Sequence, residues 1–326
     1  MIQTFLAILV VASAGMSTPL RAEESEPGEA YDWLRVMAYA PDMVNYRGVF
    51  IHQYGNRVET LRVTHMLDDR GAHQKLEALD GIAREIIHSN DQAMCYSPGG
   101  GVVTVERRKM RKSFPSLLPR DVSNIHENYR VKRGNRERVA GYDCQVVILE
   151  ARDPLRYGHW LCAEVNTGLL LEAAMQDARN EPVSRYVFTQ LSITEPIDKN
   201  LLKPSGFETL RMERPRDTVS SRRTPMDSRW EIPQNPHGFK VIMQSRRQIA
   251  GKSAPVDQMV FSDGLVAVSV FIEPLAGDAP AAQGLSSQGA INVYAKSLDH
   301  HQVTVLGEVP VKTVMQIGDA VRPREK

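Results

Sequence analysis

Stretches in which apolar and polar residues alternate follow one another over residues 46–193 and return in the last third of the chain. Successive side chains of a strand point to opposite faces of a sheet, so this period of two predicts β-strands with one buried face. The pairs Gly55-Asn56 and Asp263-Gly264 lie between such stretches and are typical of hairpin turns. Strands joined by short turns run antiparallel, so the chain is predicted to be mostly antiparallel β-sheet.

Two segments are predicted to be helices instead, and the apolar residues of the first recur at helical spacing. The first covers residues 30–38 and ends before Pro41, because proline cannot continue a helix. The second, residues 309–321, has Pro310 near its start, where proline is tolerated, and is predicted to lie across the second sheet. Residues 276–289, rich in Ala, Gly and Ser, are predicted to be a mobile loop.

The composition changes sharply at residues 211–229, which contain six Arg, two Pro and almost no apolar residue. Such a segment cannot bury surface, so it is predicted to be an exposed linker, with Arg222 and Arg223 as the candidate hinge. It separates a large domain, residues 23–210, from a small domain, residues 230–326. The predicted fold class is α+β and mostly antiparallel: a large curved sheet or open barrel with a helix against it, and a smaller antiparallel sheet.

An apolar run at residues 5–15 has the length of the hydrophobic part of a signal peptide and is too short to span a bilayer comfortably. Cleavage is predicted after Ala22, so that residues 1–22 are the signal peptide and the mature chain is exported. No Lys or Arg precedes the run, and Leu20 is large for its position relative to the cleavage site. An uncleaved membrane anchor is therefore the alternative.

Export makes a disulfide possible, because the compartment is then oxidising. Cys144 and Cys162 flank the sequence ARDPLR, and a hairpin centred near Asp153 would place the two cysteines directly opposite each other on one apolar face. This register predicts a disulfide between Cys144 and Cys162. The alternative is two buried thiols packed as small hydrophobic side chains. Cys95 is left without a predicted partner.

Five basic residues fall within six positions, although the whole chain carries a net charge of only +1: Arg107, Arg108, Lys109, Arg111 and Lys112. The anions that an exported protein meets are lipid headgroups, lipopolysaccharide phosphates and acidic segments of partners, and no nucleic-acid partner is predicted. The cluster is therefore the candidate anion or lipid-headgroup contact. A solvated basic loop is the alternative.

The sequence lacks the motifs that would identify an enzyme or a metal centre. The nine His residues do not occur with Cys or Glu at zinc-ligand spacing. The glycine-rich residues 97–101 lack the Gly-Lys-Ser/Thr ending of a phosphate-binding loop, and no G-x-S-x-G sequence occurs. The sequence therefore predicts a binding protein without a cofactor or metal, and an exported hydrolase is the alternative.

Stretches in both predicted domains resemble one family. In the large domain they are, in order, YRGVFIHQYG, ETLRVTH, EALDGIAREII, SLLP, NYRV and RVAGYDCQVVILEARDPLRYGHWLCAEVNTGLLLEAAM. In the small domain they are DGLVAVSVFIEPL and VTVLGEVPVKTVMQIGDAVRP. The likeness covers nearly the whole mature chain in order, so the chain resembles the MucB/RseB family of periplasmic sigma-factor regulatory proteins.

This resemblance implies a non-enzymatic regulator in the periplasm. Proteins of this family bind the periplasmic region of a single-span anti-sigma factor of the RseA/MucA type, protect it from regulated proteolysis and so repress the envelope-stress sigma factor. Their release is linked to lipopolysaccharide or to lipoprotein acyl chains. The large domain is implied to be an open half-barrel like the lipoprotein carriers LolA and LolB, and the small domain to help hold the anti-sigma factor.

A homo-oligomer is a further assembly that the sequence allows, and no individual residue is assigned to partner binding. The apolar hairpin at residues 256–275 contains no His, Cys or Lys, and we interpret it as scaffold for the partner-binding face of the small domain. A periplasmic lipid or lipoprotein carrier or chaperone acting alone is the alternative function, although a second domain and an Arg-rich linker are not typical of a simple shuttle.

Overall fold

The computed structural model describes residues 27–89, 92–96, 104–107, 113–193, 195–205, 229–248, 254–275 and 281–324. Two antiparallel sheets, each with a helix packed against it, account for most of these residues. The predicted fold class, α+β and mostly antiparallel with one large and one smaller sheet, is confirmed.

Eleven strands of the described chain form the large sheet, and all neighbouring strands are antiparallel. The strands are β1 (Tyr46–Tyr54), β2 (Arg57–Asp68), β3 (Gly71–Ala78), β4 (Glu85–Ser89), β5 (Gln92–Tyr96), β6 (Thr104–Arg107), β7 (Tyr129–Val139), β8 (Tyr142–Ala151), β9 (Gly158–Glu164), β10 (Leu170–Gln176) and β11 (Pro182–Ile193). Their order across the sheet is β6-β5-β4-β3-β2-β1-β11-β10-β9-β8-β7, so β6 and β7 are its edges. The predicted hairpin at Gly55-Asn56 joins β1 to β2.

The large sheet is open and strongly curved. The Tyr142 hydroxyl on β8 donates a hydrogen bond to the Leu191 carbonyl oxygen on β11, 3.4 Å away, although β9 and β10 lie between these strands in the sheet order. The edge strands β6 and β7 do not pair with each other in the described residues. The sheet is therefore an open half-barrel with a concave face.

The core of the large domain lies between the inner face of this sheet and two segments packed on it. Helix α1 (Pro27–Tyr39) contacts β7 and β8, which confirms the predicted N-terminal helix. Residues 113–128 enter the same core, where the Phe114 ring centroid lies 5.0 Å from that of Phe50 and 4.9 Å from that of Phe188. This segment ends in the short helix α2 (Ile125–Asn128).

Six strands of the described chain form the small sheet, in the order β13-β14-β15-β18-β17-β16. They are β13 (Lys240–Arg247), β14 (Val256–Ser262), β15 (Ala267–Pro274), β16 (Gly284–Gln288), β17 (Ile291–Leu298) and β18 (His301–Gly307). Helix α3 (Val311–Asp319) packs on β17 and β18, which confirms the second predicted helix. The short strands β12 (Trp230–Glu231) and β19 (Arg322–Pro323) pair beside this sheet.

Two sequence predictions for the small domain have different outcomes. The hairpin at residues 256–275 is confirmed as β14 and β15, which pair from Asp257–Ile272 to Ser262–Ala267 and leave a four-residue turn. The prediction of a loop throughout residues 276–289 is wrong, because Gly284–Gln288 pairs with β17 as an edge strand. Backbone pairing with a strong neighbour overrides the weak strand preference of Gly and Ser.

The structure joins Cys144 and Cys162 by a disulfide, with their Cα atoms 5.4 Å apart. The predicted register is wrong by two positions, since Cys144 pairs with Glu164 and Cys162 pairs with Val146. The β8–β9 turn is displaced by one residue, because the Asp153 side chain accepts the Leu155 N–H and forms a local turn there. A shift of two positions leaves every side chain on the same face of its strand, so the two cysteines still share one buried face.

Several predicted features lie outside the described residues. The candidate hinge residues Arg222 and Arg223 fall within residues 206–228, which are not described, and the domain boundaries stay predictions. Of the basic cluster, Arg107 is the last residue of β6, and the other four residues fall at 108–112, outside the described part. The longest helix of the described chain, α1, has 13 residues, and no helix described there could cross a membrane.

Candidate functional site at the domain junction

The loop between β8 and β9, residues 152–157, extends from the large domain into the small one. The Leu155 side chain is buried in the small-domain core, together with Trp230 and Phe239. The Thr313 hydroxyl at the start of α3 donates a hydrogen bond of 2.6 Å to the Leu155 carbonyl oxygen. This loop is therefore an anchor that joins the two sheets.

A buried ion pair lies next to this anchor. The Arg156 Nη1 atom of the large domain lies 2.7 Å from Asp263 Oδ2 of the small domain, and both side chains are 0% exposed. Charges removed from water in this way are stable only when their remaining hydrogen-bonding atoms also find partners.

The Asp263 carboxylate is saturated with hydrogen bonds. Its Oδ2 atom also accepts from the Tyr129 hydroxyl at 3.0 Å, and its Oδ1 atom accepts from the Leu265 and Val266 N–H groups, each at 2.9 Å. The Asn128 amide donates to the Asp263 carbonyl oxygen at 2.8 Å. One residue therefore both shapes the β14–β15 turn and binds that turn to the large domain.

The Arg156 guanidinium is held equally firmly. Its Nη2 atom donates to the His237 carbonyl oxygen at 2.7 Å, and Nε and Nη2 each donate to an Asp153 carboxylate oxygen at 3.1 Å. Its central carbon lies 5.0 Å from the ring centroid of Phe239 and 5.7 Å from that of Tyr129. Salt bridge, hydrogen bonds and cation–π contacts thus fix the position of Arg156 across the junction.

Two further features close the junction. Gly238 has φ +77°, and a Cβ atom there would lie 2.0 Å from Asn128 Oδ1, so the backbone can approach the large domain only at a glycine. The Asn292 amide of the small domain donates to the Tyr157 hydroxyl at 3.0 Å and to the Val309 carbonyl oxygen at 2.7 Å. The two domains are therefore docked through a specific, largely polar interface.

Burial shifts the proton affinity of groups in and near this network. Burial and the neighbouring Asp263 carboxylate hold the pKa of Tyr129 well above its ordinary value, so the hydroxyl stays protonated and donates. Burial lowers the pKa of His159 to about 4, although Asp263 acts in the opposite direction. Burial also lowers the pKa of His65, in the large-domain core, to about 4.

We expect the stability of the fold to decrease as the pH falls from about 6.5 to about 4. Unfolded imidazoles bind protons below about pH 6.5, whereas His65 and His159 stay neutral in the folded chain down to a pKa of about 4. The unfolded state therefore binds more protons in this window, and each of the two groups should account for about 2 kcal/mol of lost stability by about pH 5.

Urea unfolding at neutral pH and near the acid end of this window measures the effect. The variant His159→Gln should lose part of the pH dependence, because it removes one of the imidazoles whose pKa is lowered by burial. The exposed His300 provides the matched control, since His300→Gln should keep the full dependence. An unchanged pH dependence in His159→Gln would contradict the assignment.

The disulfide is the one sequence-predicted pair that bears on this site, since Cys144 and Cys162 lie on the two strands that carry the 152–157 loop. Sequence reasoning missed Arg156 and Asp263, although both lie in stretches that carry the family resemblance. A charged residue in a turn is usually solvated, and the pattern contains no sign that these two meet. Among the described residues, no cluster of three or more His, Cys, Asp or Glu could hold a metal ion.

Comparisons with known proteins agree with this two-domain architecture. Family models described as the MucB/RseB N-terminal domain and the MucB/RseB C-terminal domain match residues 29–206 and 224–322. The chain is 27% identical to the sigma factor AlgU regulatory protein MucB of Pseudomonas aeruginosa, over 97% of both chains. It is 26% identical to the sigma-E factor regulatory protein RseB of Salmonella typhimurium, over 98% of both chains.

The structure is similar to a chain in the complex structure of Pseudomonas aeruginosa MucA/MucB, with a TM-score of 0.72 and 25% identity. The match covers 91% of this chain and 100% of that chain. A crystal structure of MucB shares the fold with a TM-score of 0.62. With both of its domains matched by models of one family, the chain belongs to the MucB/RseB family.

Proposed function

We propose that this protein is a periplasmic regulator that binds the periplasmic region of a membrane anti-sigma factor of the RseA/MucA type. By masking that region it protects the anti-sigma factor from regulated proteolysis and so represses the envelope-stress sigma factor. The observation that carries the proposal is the match to a chain of the MucA/MucB complex, because it extends over 91% of this chain and therefore over both domains. Relatives described as regulatory proteins support binding, not catalysis, as the activity.

The edge of the small sheet offers a surface suited to such a tail. Within the described part of the chain, strand β13 is an edge strand of this sheet, and its residues Val241 and Ile242 are 39% and 63% exposed. An edge strand offers backbone N–H and C=O groups to an extended peptide, and apolar side chains beside the edge add affinity. We assign this edge as a contact for an extended apolar segment of the anti-sigma factor.

The domain junction suits a partner that contacts both domains. A disordered tail loses conformational entropy when it binds. A receptor whose two domains are already fixed adds no further loss of this kind, so more of the interaction energy contributes to affinity. The Arg156–Asp263 pair and the Leu155 anchor fix the two sheets in this way. Opening of the junction would separate the two halves of the binding surface and weaken the complex.

We propose that lipopolysaccharide or lipoprotein acyl chains release the partner by changing how the two domains are arranged. The concave face of the large sheet is already filled, because Phe114 of residues 113–128 packs against Phe50 and Phe188 and stacks on Tyr186. An acyl chain entering there would displace this segment and favour a different arrangement of the large domain. A ligand changes the affinity for the partner only if it binds one arrangement of the domain more tightly than the other. The filled face supports a regulator over a carrier acting alone, which needs an empty apolar cavity.

A direct binding measurement tests the proposed function. The fluorescently labelled periplasmic region of the organism's own anti-sigma factor should bind the purified mature chain and become resistant to the protease that makes the first regulated cut. Added lipopolysaccharide should weaken binding and restore cleavage. The variant Ile242→Asp should bind at least about tenfold more weakly, because it places a charge on the proposed apolar edge. The variant Gln288→Asp on the opposite edge strand is the matched control.

The outcomes separate the parts of this proposal. Absence of affinity for the tail would overturn the function as a whole. Binding that is equally strong in Ile242→Asp and Gln288→Asp would overturn the β13 contact and leave the partner assignment in place. Binding without protection from the protease would overturn the masking mechanism.

A further inference from the structure

A second contact between the two domains lies at the tips of two hairpins. The β1–β2 turn of the large domain meets the β16–β17 turn of the small domain, and each contains a glycine with positive φ, Gly55 at +54° and Gly289 at +60°. A Cβ atom at Gly289 would lie 2.6 Å from the Tyr54 Cβ atom and 3.3 Å from the Tyr54 Cα atom. The two turns therefore pack at a distance that only glycine permits at position 289.

Tyr54 is the first ring of an aromatic column on the concave face of the large sheet. Its ring centroid lies 4.6 Å from that of His52, which stacks on Tyr186 at 4.0 Å with the two rings 7° from parallel. Tyr186 stacks in turn on Phe114, with a centroid distance of 5.4 Å and an angle of 10°. We call these four rings the ring column.

Polar contacts hold the outer end of the ring column in place. The Tyr54 hydroxyl donates to the Glu59 carboxylate at 2.7 Å, and the His52 Nε2 atom lies 3.2 Å from the Ser184 hydroxyl oxygen. Burial lowers the pKa of His52 to about 4, so at neutral pH its ring is uncharged and stacks as an aromatic ring. Stacked rings stabilise each other beyond the area they bury, so the position of Tyr54 depends on the rings behind it.

The inner end of the column belongs to a segment that reaches both interdomain contacts. Phe114 starts residues 113–128, which fill the concave face. At the other end of this segment, the Asn128 amide donates to the Asp263 carbonyl oxygen of the small domain at 2.8 Å. One segment therefore occupies the concave face and connects with the small domain at two places, directly at Asn128 and through the ring column at Phe114.

We propose that the ring column sets the position of the small domain according to whether Phe114 is packed on the concave face. With Phe114 in place, the rings behind Tyr54 are fixed, and the Gly289 turn has one position against it. When Phe114 leaves, Tyr186 and His52 gain space toward the concave face, so Tyr54 no longer holds the Gly289 turn. Packed side chains carry coupling between sites when they have two discrete arrangements. His52 and Tyr186 are thus positioning residues for the small domain.

The small domain also lies close to the middle of the column. Burial and the Glu308 carboxylate of the small domain raise the pKa of Tyr186 above its ordinary value, so the charge of Glu308 acts on this ring. The inference deepens the proposed function, because it names residues that link the concave face to the arrangement of the domains. Only its last step, a change in affinity for the anti-sigma tail, rests on that function.

The position of the small domain can be measured without the tail, as the distance between two spin labels in double electron–electron resonance. Arg179→Cys in the large domain and Lys312→Cys in the small domain provide exposed labelling sites, with Cys95→Ala in the background to remove the free thiol. The affinity for the fluorescently labelled tail is the second readout. If the wild-type chain binds no tail, the proposed function fails, and the distances still decide the inference.

Gly289→Ala tests the contact between the turns. It should shift or broaden the distance distribution and weaken tail binding by about tenfold or more, because its Cβ atom does not fit beside Tyr54. Gly284→Ala is the matched control in the same hairpin. Gly284 also has positive φ, +105°, but a Cβ atom there would have no neighbour within 4 Å in the described residues. This variant should keep the wild-type distance.

Three variants test the ring column. Tyr186→Leu removes the ring between His52 and Phe114 and should change the distance as Gly289→Ala does, whereas Tyr186→Phe keeps the ring and should retain the wild-type distance. Phe114→Ala should act like Tyr186→Leu from the inner end. Leu34→Ala is the control for lost packing, because Leu34 is buried in the same core and is not part of the column. If Phe114→Ala does not fold, the half-buried Tyr186 still decides the test.

The combination of Gly289→Ala with Tyr186→Leu should weaken tail binding no more than the stronger single variant, because both act on one contact. Equal distance distributions in Gly289→Ala and Gly284→Ala overturn the inference, as does a shift in Leu34→Ala as large as that in Tyr186→Leu. A shift in Gly289→Ala alone also overturns it, since the contact then exists without the column. Shifted distances with unchanged tail affinity uphold the column and contradict tail binding across both domains.

Discussion

Replacement of Asp263 by Asn is expected to lower the free energy of unfolding by about 3 kcal/mol, the lower end of the range for a broken buried ion pair. The Asn side chain keeps an oxygen for the Leu265 and Val266 N–H groups, so the β14–β15 turn retains its hydrogen bonds. The Arg156 guanidinium, however, loses the carboxylate 2.7 Å away while remaining 0% exposed. Asp153 still neutralises part of that charge, which is why we expect the lower end of the range.

Urea unfolding of Asp263→Asn and the wild-type chain measures this loss. The matched control is Arg130→Gln, which breaks the exposed Arg130–Glu150 pair at 3.3 Å and should change stability by less than about 1 kcal/mol. A change in Asp263→Asn as small as that of the control would show that the junction contributes little to stability.

A double-mutant cycle isolates the interaction between the two charges. In Arg156→Met the Asp263 carboxylate is left buried with only uncharged donors around it, so this single variant should also be strongly destabilised. Combined with Asp263→Asn, Arg156→Met should cost less than the sum of the two single changes, because neither charge then remains unpaired. Met can still pack between the Tyr129 and Phe239 rings.

The same variants bear on the predicted hinge. The predicted Arg-rich linker with Arg222 and Arg223 joins the same two domains as the junction. It therefore permits domain movement only if the junction opens. Asp263→Asn should therefore increase the radius of gyration in solution scattering and the rate of proteolysis between the domains. If Asp263→Asn is destabilised but its radius of gyration is unchanged, the loss of stability arises inside one domain. That result would contradict a junction that opens.

Local features of the fold could be predicted from the sequence. The alternation in β1 and β2 with Gly55-Asn56 between them, the helical spacing before Pro41 and the position of α3 after Pro310 depend on residues close in sequence. Turn residues and the period of apolar side chains are set by a few neighbouring residues, so they can be recognised without knowledge of the tertiary structure.

Features that depend on distant residues could not be predicted. Arg156 and Asp263 are 107 positions apart, and nothing in either turn indicates that the other will bury it. The same holds for β16, whose strand conformation comes from pairing with β17. At these positions contacts with distant residues determine the structure, although the local sequence favours solvated turns and loops.

The removal of the Cys144–Cys162 disulfide is the second change with a large expected effect. The bond closes a loop with a sequence separation of 18, for which the chain-entropy model gives about 3 kcal/mol of stabilisation. The double variant Cys144→Ala with Cys162→Ala should lose about this amount in urea unfolding, with a further loss from the sulfur atoms removed from the core. Dithiothreitol should lower the wild-type unfolding midpoint and leave that of the variant unchanged.

Cys95→Ala is the matched control, because Cys95 is a half-buried free cysteine on β5 and its removal should leave the response to dithiothreitol intact. Strands β8 and β9 remain paired through their backbone without the disulfide, so the 152–157 loop should still reach the small domain and the variant should still bind the anti-sigma tail in the absence of urea. Loss of stability with retained binding would assign the disulfide to the scaffold of the junction. A wild-type unfolding midpoint that does not respond to dithiothreitol would instead favour two buried thiols at these positions.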